Sequence, residues 1–312
     1  MSTESIFHPG ELLIQSRQGV SGLAATRGRA MIRGDLDERS QSLFRSASFA
    51  AVGARDELGR PWATVLSGEP GFIDTPTARR LSLDAKLGDS DPLSRALAKV
   101  AEVALLAIDP ENGRRVRANG FGERRRVGPN QGGVAPQPHF DVAVMQVFSN
   151  CQRFVELREI RIDQATTAHS HQVRSLTAPE LSFLKESKFL FLTTGHGQSR
   201  TDGACGMDIS HRGGPAGFVE IEDASHLSFP DFPGNALYSS IGNLIQDPRA
   251  GLAFIDESSG DIFHTTGEIR IVWSPRKQED TESETRMNCQ LVFECHEGVL
   301  RKNAVSSIRT QQ

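Results

Sequence analysis

The stretch "TDGACGMDISHRGGPAGFVEI", residues 201–221, sets Ser210, His211 and Arg212 side by side, and five glycines punctuate the whole run. A hydroxyl, an imidazole and a guanidinium followed by Gly213 and Gly214 make a donor set suited to an oxyanion. Arginine supplies a planar fork of N–H donors, and glycine lets backbone N–H groups come close to a ligand. A phosphate-bearing cofactor, a metal, a nucleophile and a plain tight turn all remain open from these residue types alone. Ser210 and His211 do not make a nucleophile and base, because neighbouring strand residues point to opposite faces. His211 and His264 are acid–base candidates by type only. The pair His169 and His171 has no third ligand nearby in sequence, so no metal site is expected. No GxSxG, HExxH, Walker or GxGxxG pattern occurs.

The elements that position these residues read as short strands with interposed helices. Residues 8–34 have loose helical spacing in two pieces, and "DLDERSQSLFRSASF" forms a third helix capped by Asp35 or Asp37. "DELGRP" is a hairpin turn between two strands, and "PELSFLKES" opens on a capping box of Thr177 and Glu180. "DPLSRALAKVAEV" and residues 235–249 both read as helices, the second stopped at Asp247-Pro248.

An internal repeat organises the chain. "ALLAIDPENGRRVRANG" (104–120) matches "GLAFIDESSGDIFHTTG" (251–267), with Ile108-Asp109, Gly113 and Gly120 each 147 positions before their counterparts. "GFIDTPTARRLSL" (71–83) matches "GFVEIEDASHLSF" (217–229) at an offset of 146, and "FAAVGARD" resembles "FLFLTTGHGQ" further upstream. The expected organisation is a helical extension over 1–41, a first copy over 42–162, a connector over 163–179, a second copy over 180–300 and a tail over 301–312. The fold class is mainly β (α+β), and short antiparallel strands with helices between them favour barrels over a parallel sheet.

Composition bounds the function classes. The 312 residues carry 35 Lys and Arg against 39 Asp and Glu, a net charge of −4, so a nucleic-acid partner is not expected. Cys151, Cys205, Cys289 and Cys295 form no CxxC pair and read as reduced thiols of a cytoplasmic protein, with Cys289 and Cys295 as cross-strand neighbours. No apolar run approaches the length of a membrane span, and the opening residues lack the pattern of a secretory leader.

The order of elements, with "GQSRTDGACGMDISHRGG", "LSFPDF", "NLIQDPRAGLAFID" and "TTGEIRI", resembles the pyridoxamine 5′-phosphate oxidase-like superfamily of FMN-binding split barrels. "FHPGELLIQSRQGV" and "QVFSNCQRFVELREI" resemble a tandem subfamily, in some members fused to a ferredoxin-reductase-like module that is not expected within these 312 residues. The resemblance covers about residues 5–300. It implies two tandem split β-barrels with flanking helices, arranged as a pseudo-dimer, with FMN in the groove between them. It implies that Ser210, His211 and Arg212 contact the phosphate, although an upstream basic position of that strand is Met207 here. Pro230, Asp231 and Asn235 fall on the next cofactor-contacting strand and loop, with Asp231 and Asn235 toward ribityl hydroxyls and Asn235 also as a helix cap. The family's basic cluster there is replaced by Pro-Gly-Asn, so Arg115 and Arg117 from the first copy are expected to complete the phosphate's charge. Asn150, Cys151 and His264 are candidates for the substrate pocket.

The first copy lacks an equivalent of these motifs, so one competent site per chain is expected, made from the second copy and one strand of the first. The implied activity is an FMN-dependent oxidoreductase acting on a small molecule, with NAD(P)H or a separate reductase as electron source. The alternatives are a carrier without turnover, a deazaflavin in place of FMN, or a haem protein with His196, His211 or His264 as axial ligand. A homodimer of the tandem chain is compatible with all of them.

Overall fold

The computed structural model describes residues 5–310 apart from 86, 95, 110, 126–138, 151–156, 163–169, 174–175, 178–182, 198–204, 216 and 274–288. Most of the described chain is antiparallel strand, laid out in two large sheets. The first contains β1 (Phe49–Arg55), β2 (Pro61–Ser67), β3 (Ile73–Thr77), β4 (Arg80–Asp84), β5 (Ala101–Ile108), β6 (Arg115–Arg125) and β7 (His139–Asn150), in the order β2-β1-β5-β6-β7-β4-β3. After β8 (Leu157–Ile162) and β9 (Ser170–Val173) comes the second sheet. It contains β10 (Phe189–His196), β11 (Gly206–Gly213), β12 (Glu220–Ile221), β13 (His226–Asp231), β14 (Arg249–Ile255), β15 (Ile262–Trp273) and β16 (Cys289–Arg301), in the order β11-β10-β14-β15-β16-β13-β12. Strand for strand, the two orders are the same path.

The glycines that anchor the sequence repeat have the same job in each sheet. Gly113 and Gly260 take φ of +70° and +72° in the turns after β5 and β14. Gly120 and Gly267 sit at register shifts in the β6–β7 and β15–β16 ladders. A Cβ on Gly120 would lie 2.0 Å from the Ala143 carbonyl oxygen, and one on Gly267 would lie 1.8 Å from that of Glu294. The bulge bends each long strand at a place where no side chain fits. Gly120→Ala is therefore expected to destabilise the fold by about 1–3 kcal/mol through overpacking. The urea unfolding midpoint reads this directly, and an unchanged midpoint would show that the bulge relaxes.

The two sheets pack on one another through a third core, distinct from the interior of either sheet. Phe49, Ala51, Val65 and Leu106 from the first meet Phe189, Phe191 and Ile209 from the second. The contact is reciprocal. Arg117 on β6 donates to the Ile209 carbonyl on β11 (3.1 Å), and its repeat counterpart His264 on β15 contacts the Ala63 carbonyl on β2 (2.8 Å). A patch that meets its own counterpart in this way is the signature of a two-fold arrangement, here within one chain. Near that axis Gly53 faces its counterpart Thr193, whose hydroxyl occupies the space of the missing Cβ.

Helices α1 (Pro9–Arg17), α2 (Ser21–Met31), α3 (Glu38–Ser46) and α4 (Ser239–Gln246) flank the sheets. Asp37, not Asp35, caps α3, its carboxylate accepting the Ser40 N–H at 2.9 Å. Three expectations need correction. "DPLSRALAKVAEV" forms only a 3-10 turn at Ala96–Ala98 before β5 begins at Ala101. The buried Asp91 carboxylate ties its opening to distant strands: one oxygen accepts from Thr64 and Arg301, while the other accepts the Leu93 N–H at 2.9 Å. Cys289 and Cys295 lie on the same strand, β16, and Cys205, Cys289 and Cys295 are free thiols. Part of the connector, Ser170–Val173, is strand β9 on the edge of β16, and Val305–Thr310 near the C-terminus is a strand, β17, paired with β8. The capping box at Thr177 and Glu180 falls largely outside the described residues. Among the described residues, no helix is long and apolar enough to cross a membrane.

Candidate functional site

One cavity of about 110 Å³ collects residues from both sheets and from the loop leading into α4. Arg115 and Arg117 come from β6, Ser210, His211 and Arg212 from β11, Asp231 from the end of β13, and Asn235 from the loop. Seven residues singled out from the sequence thus share one cavity, although they derive from both halves of the chain. The eighth, Pro230, is in β13 opposite Gln290 and does not line it. Proline fits there because β12 pairs only as far as Ser228 and asks no N–H of it.

The loop into α4 completes the wall with backbone in an uncommon conformation. Ala236 and Tyr238 adopt φ of +65° and +63°, and Tyr238 is the residue at which α4 begins. Asn235 therefore does not cap the helix. Its side chain accepts the Leu237 N–H at 3.1 Å and holds the loop instead. Ser239 and Ser240 then open α4 with their side chains at the cavity, and the Ser240 hydroxyl lies 3.3 Å from that of Ser210.

The lining carries three guanidinium groups and one carboxylate. Asp231 pairs with Arg212 at 2.5 Å. Arg117 is nearly fully buried, lies 4.1 Å over the Phe148 ring, and pairs with Asp208 at 3.1 Å. Burial pulls its pKa down, and the Asp208 charge opposes that shift. Asp208 is held in place by the side-chain amides of Asn119 (2.7 Å) and Asn243 (2.8 Å). The Nε atoms of Arg117 and Arg212 are buried without a hydrogen-bond partner. So are both ring nitrogens of His211, which stacks on Phe189 with centroids 5.5 Å apart. Burial first, then the charges of Arg115 and Arg212, push the His211 pKa well below its ordinary value. His211 is therefore a neutral imidazole near neutral pH. Buried donors without partners are uncommon in folded proteins, and here two of them belong to the cations themselves, a donor set that suits an anion with several acceptor oxygens.

Sequence reasoning missed one contributor, Glu11. Its carboxyl is buried under the cavity, bonded by the His8 N–H at 3.1 Å and by Ser239, and it lies near Asp208 and Arg117. Burial and the Asp208 charge raise its pKa from 4.5 to about 8. The close crossing of α1 on α4 puts it there. A Cβ on Gly10 would lie 2.1 Å from the Gly242 carbonyl, and one on Gly242 would lie 2.6 Å from Glu11 Cγ. The signal in the sequence was a pair of unremarkable glycines.

The structure does not bring the remaining candidates here. His264 is fully buried at the position the repeat relates to Arg117, with its pKa lowered to about 4 by burial. Around it Thr64 stands in for Ser210, and the Asp91–Arg301 ion pair (2.9 Å) fills the space. One of the two repeat-related places between the sheets is thus filled by an ionic core, and the other is a cavity. Asn150 ends β7 opposite Arg115 in the ladder, and Cys151 lies outside the described residues. His196 ends β10 and packs against His8, the rings tilted by 33° with centroids 4.7 Å apart. His171 sits in β9 opposite Leu300, and His169 lies outside the described residues. Among the described residues no group of three or more His, Cys, Asp or Glu is placed to hold a metal ion.

No family model matches the chain, and no curated protein does. Among solved structures it is similar to HupZ of Group A Streptococcus, at 15% identity and a TM-score of 0.29 over 36% of this chain and 93% of that one. It is similar to a putative pyridoxamine 5′-phosphate oxidase from Lactobacillus delbrueckii, at 17% identity and a TM-score of 0.30 over 37% and 95% of the two chains. A FAD-binding protein from Mesorhizobium loti aligns at 10% identity and a TM-score of 0.27 over 42% and 97%. Likenesses of this size fix no function, so the chemistry of the cavity has to.

Proposed function

We propose that the chain is an FMN-dependent oxidoreductase acting on a small molecule, with the flavin phosphate seated between Arg115, Arg117 and Arg212. The observation that supports this best is the convergence of those three guanidinium groups with the Ser210, Ser239 and Ser240 hydroxyls around one cavity. The donor set fits a phosphate dianion. Guanidinium forks match its oxygens, and the buried Nε atoms of Arg117 and Arg212 have hydrogen bonds left to give. Asp231 holds Arg212 by one nitrogen, which orients it without using it up. In this reading Asn235 and the serines, which line the same cavity, serve a hydroxylated chain leaving the phosphate. The flavin, when bound, supplies hydride and electron chemistry, and the protein supplies position and charge. His211, neutral and packed between Phe189 and Phe191, walls the site without adding charge. The electron source in this reading is NAD(P)H or a separate reductase.

The test is the absorption spectrum of the purified protein before and after incubation with FMN and desalting. The expected result is retained two-banded flavin absorption in wild type, weakened about ten- to a hundredfold in affinity in Arg212→Ala, since a charge-assisted hydrogen bond contributes about 1.5–3 kcal/mol. A protein that stays colourless under both conditions overturns the reading. A Soret band on haem titration, lost in His211→Ala, would move the case to haem instead.

A further inference from the structure

We propose that a second, larger cavity beside the first is an anion site, and that it receives the phosphate or carboxylate group of the small-molecule reactant. This cavity, about 650 Å³, lies between α3, the turn after β5 and the start of β6. Its volume is in the range of small-molecule sites, ~300–1,000 Å³. Arg115 lines both cavities, so whatever fills the larger one ends beside the phosphate seat.

The chemistry of the lining selects the ligand. Arg39 from α3, Arg114 from the turn and Arg115 from β6 face it. Among the described residues, the exposed Arg39 and Arg114 side chains are in no ion pair or hydrogen bond, and the Arg39 charge acts on Asp37. The two acids of the lining are already committed to local structure. Asp37 caps α3 through the Ser40 N–H. Asp109 closes its turn, accepting the Glu111 N–H at 2.8 Å and the Asn112 side-chain amide at 2.8 Å. Hydroxyls of Ser40, Ser42 and Ser149 complete a polar wall with only Leu43 and Val116 as apolar members. Such a lining suits a polar anion and gives little to an apolar molecule.

The cations are not a by-product of the fold. In the repeat-related turn of the second half, Asp261 stands at the position of Arg114 and Ile262 at that of Arg115. Asp261 there accepts the Asn303 N–H at 2.8 Å, a structural role. The same turn geometry is thus built with an acid in one half and an arginine in the other.

That the bound anion is the reactant of a redox reaction rests on the flavin reading, whereas anion binding itself does not. The experiment is calorimetric titration of the full-length, FMN-loaded protein with inorganic phosphate and, separately, with malonate. Saturable binding of one or both is expected, weakened tenfold or more in Arg39→Gln/Arg114→Gln with flavin retention and melting temperature unchanged, given about 1.5–3 kcal/mol for each charged hydrogen bond lost. The stronger of the two probes identifies the anionic group. No saturable binding, or binding that the double variant leaves intact, overturns the proposal. Should the protein refuse FMN, the colourless protein is titrated in the same way. Arg212→Ala then removes phosphate binding at the smaller cavity only, and Arg39→Gln/Arg114→Gln removes it at the larger one, so the two readings fail separately.

Discussion

Arg301→Met is expected to cost about 3–5 kcal/mol of stability, the largest single loss we anticipate in this fold. Arg301 and Asp91 are 5% and 2% exposed, and their 2.9 Å contact is the centre of a cluster with Thr64 and His264. Removing the cation strands a carboxylate among buried groups, with only the Thr64 hydroxyl and the Leu93 N–H to bind it. Burial opposes a charge on His264, the other group facing the carboxylate, so a proton taken up there recovers only part of the loss. Replacing both members, Arg301→Met with Asp91→Leu, is expected to recover most of the loss, since a well-packed apolar pair often matches a buried ion pair. Urea midpoints of the two variants decide the matter. A single variant as stable as wild type would mean that water enters the cluster.

That prediction bears on why the two halves differ. The repeat places Thr64 where the second half has Ser210, and His264 where the first has Arg117. At one of the two repeat-related places, Thr64 and Asp91 with His264 and Arg301 form an ionic core. At the other is a cavity whose cations have donors to spare. The asymmetry was legible in outline, because the motif "SHRGG" with its downstream "PDFPGN" occurs once. The means of closure was not. Asp91 and Arg301 meet across 210 positions, and nothing local to either residue predicts the partner.

The repeat itself was readable because glycine leaves a physical trace. Gly113, Gly120, Gly260 and Gly267 recur in step because a turn needs positive φ and a bulge has no room for Cβ. Arg115 and Arg117 were readable for a related reason, since alternating positions on a strand leading to such a bulge face the same side. "DPLSRALAKVAEV" misled by its helical spacing. There the Asp91 interactions outweigh propensity, which is a weak prior beside a buried ion pair. Asn235 was misplaced as a cap because the chain enters α4 through two left-handed residues, Ala236 and Tyr238, that have no marker in sequence.

Glu11 gives the second large effect, and it depends on pH. The folded chain keeps the Glu11 proton up to about pH 8, whereas the unfolded chain loses it near the ordinary value of 4.5. Between these values the folded state binds the additional proton. Stability conferred by this group is therefore full at low pH, declines as pH rises through the window, and levels off above it. The slope is about 1.4 kcal/mol per pH unit. Glu11→Gln keeps the shape and the acceptor for the His8 N–H but has no proton to lose. Its stability relative to wild type is expected to rise on the order of 2 kcal/mol between about pH 6 and about pH 8, read from urea midpoints across that range. Parallel curves for the two proteins would show that Glu11 is already ionised when folded. The groups facing it make the same variant informative about the cavity. Asp208 already opposes a charge on Glu11, Arg117 favours one, and Ser239 links its carboxyl to the cavity wall. A phosphate dianion seated there adds a second opposing charge and tightens the hold on the proton. By linkage, anion affinity in the wild type falls as pH climbs past about 8, where Glu11 ionises, and Glu11→Gln is expected to lose that fall. If both proteins show the same decline, Glu11 serves the crossing of α1 on α4 and not the ligand.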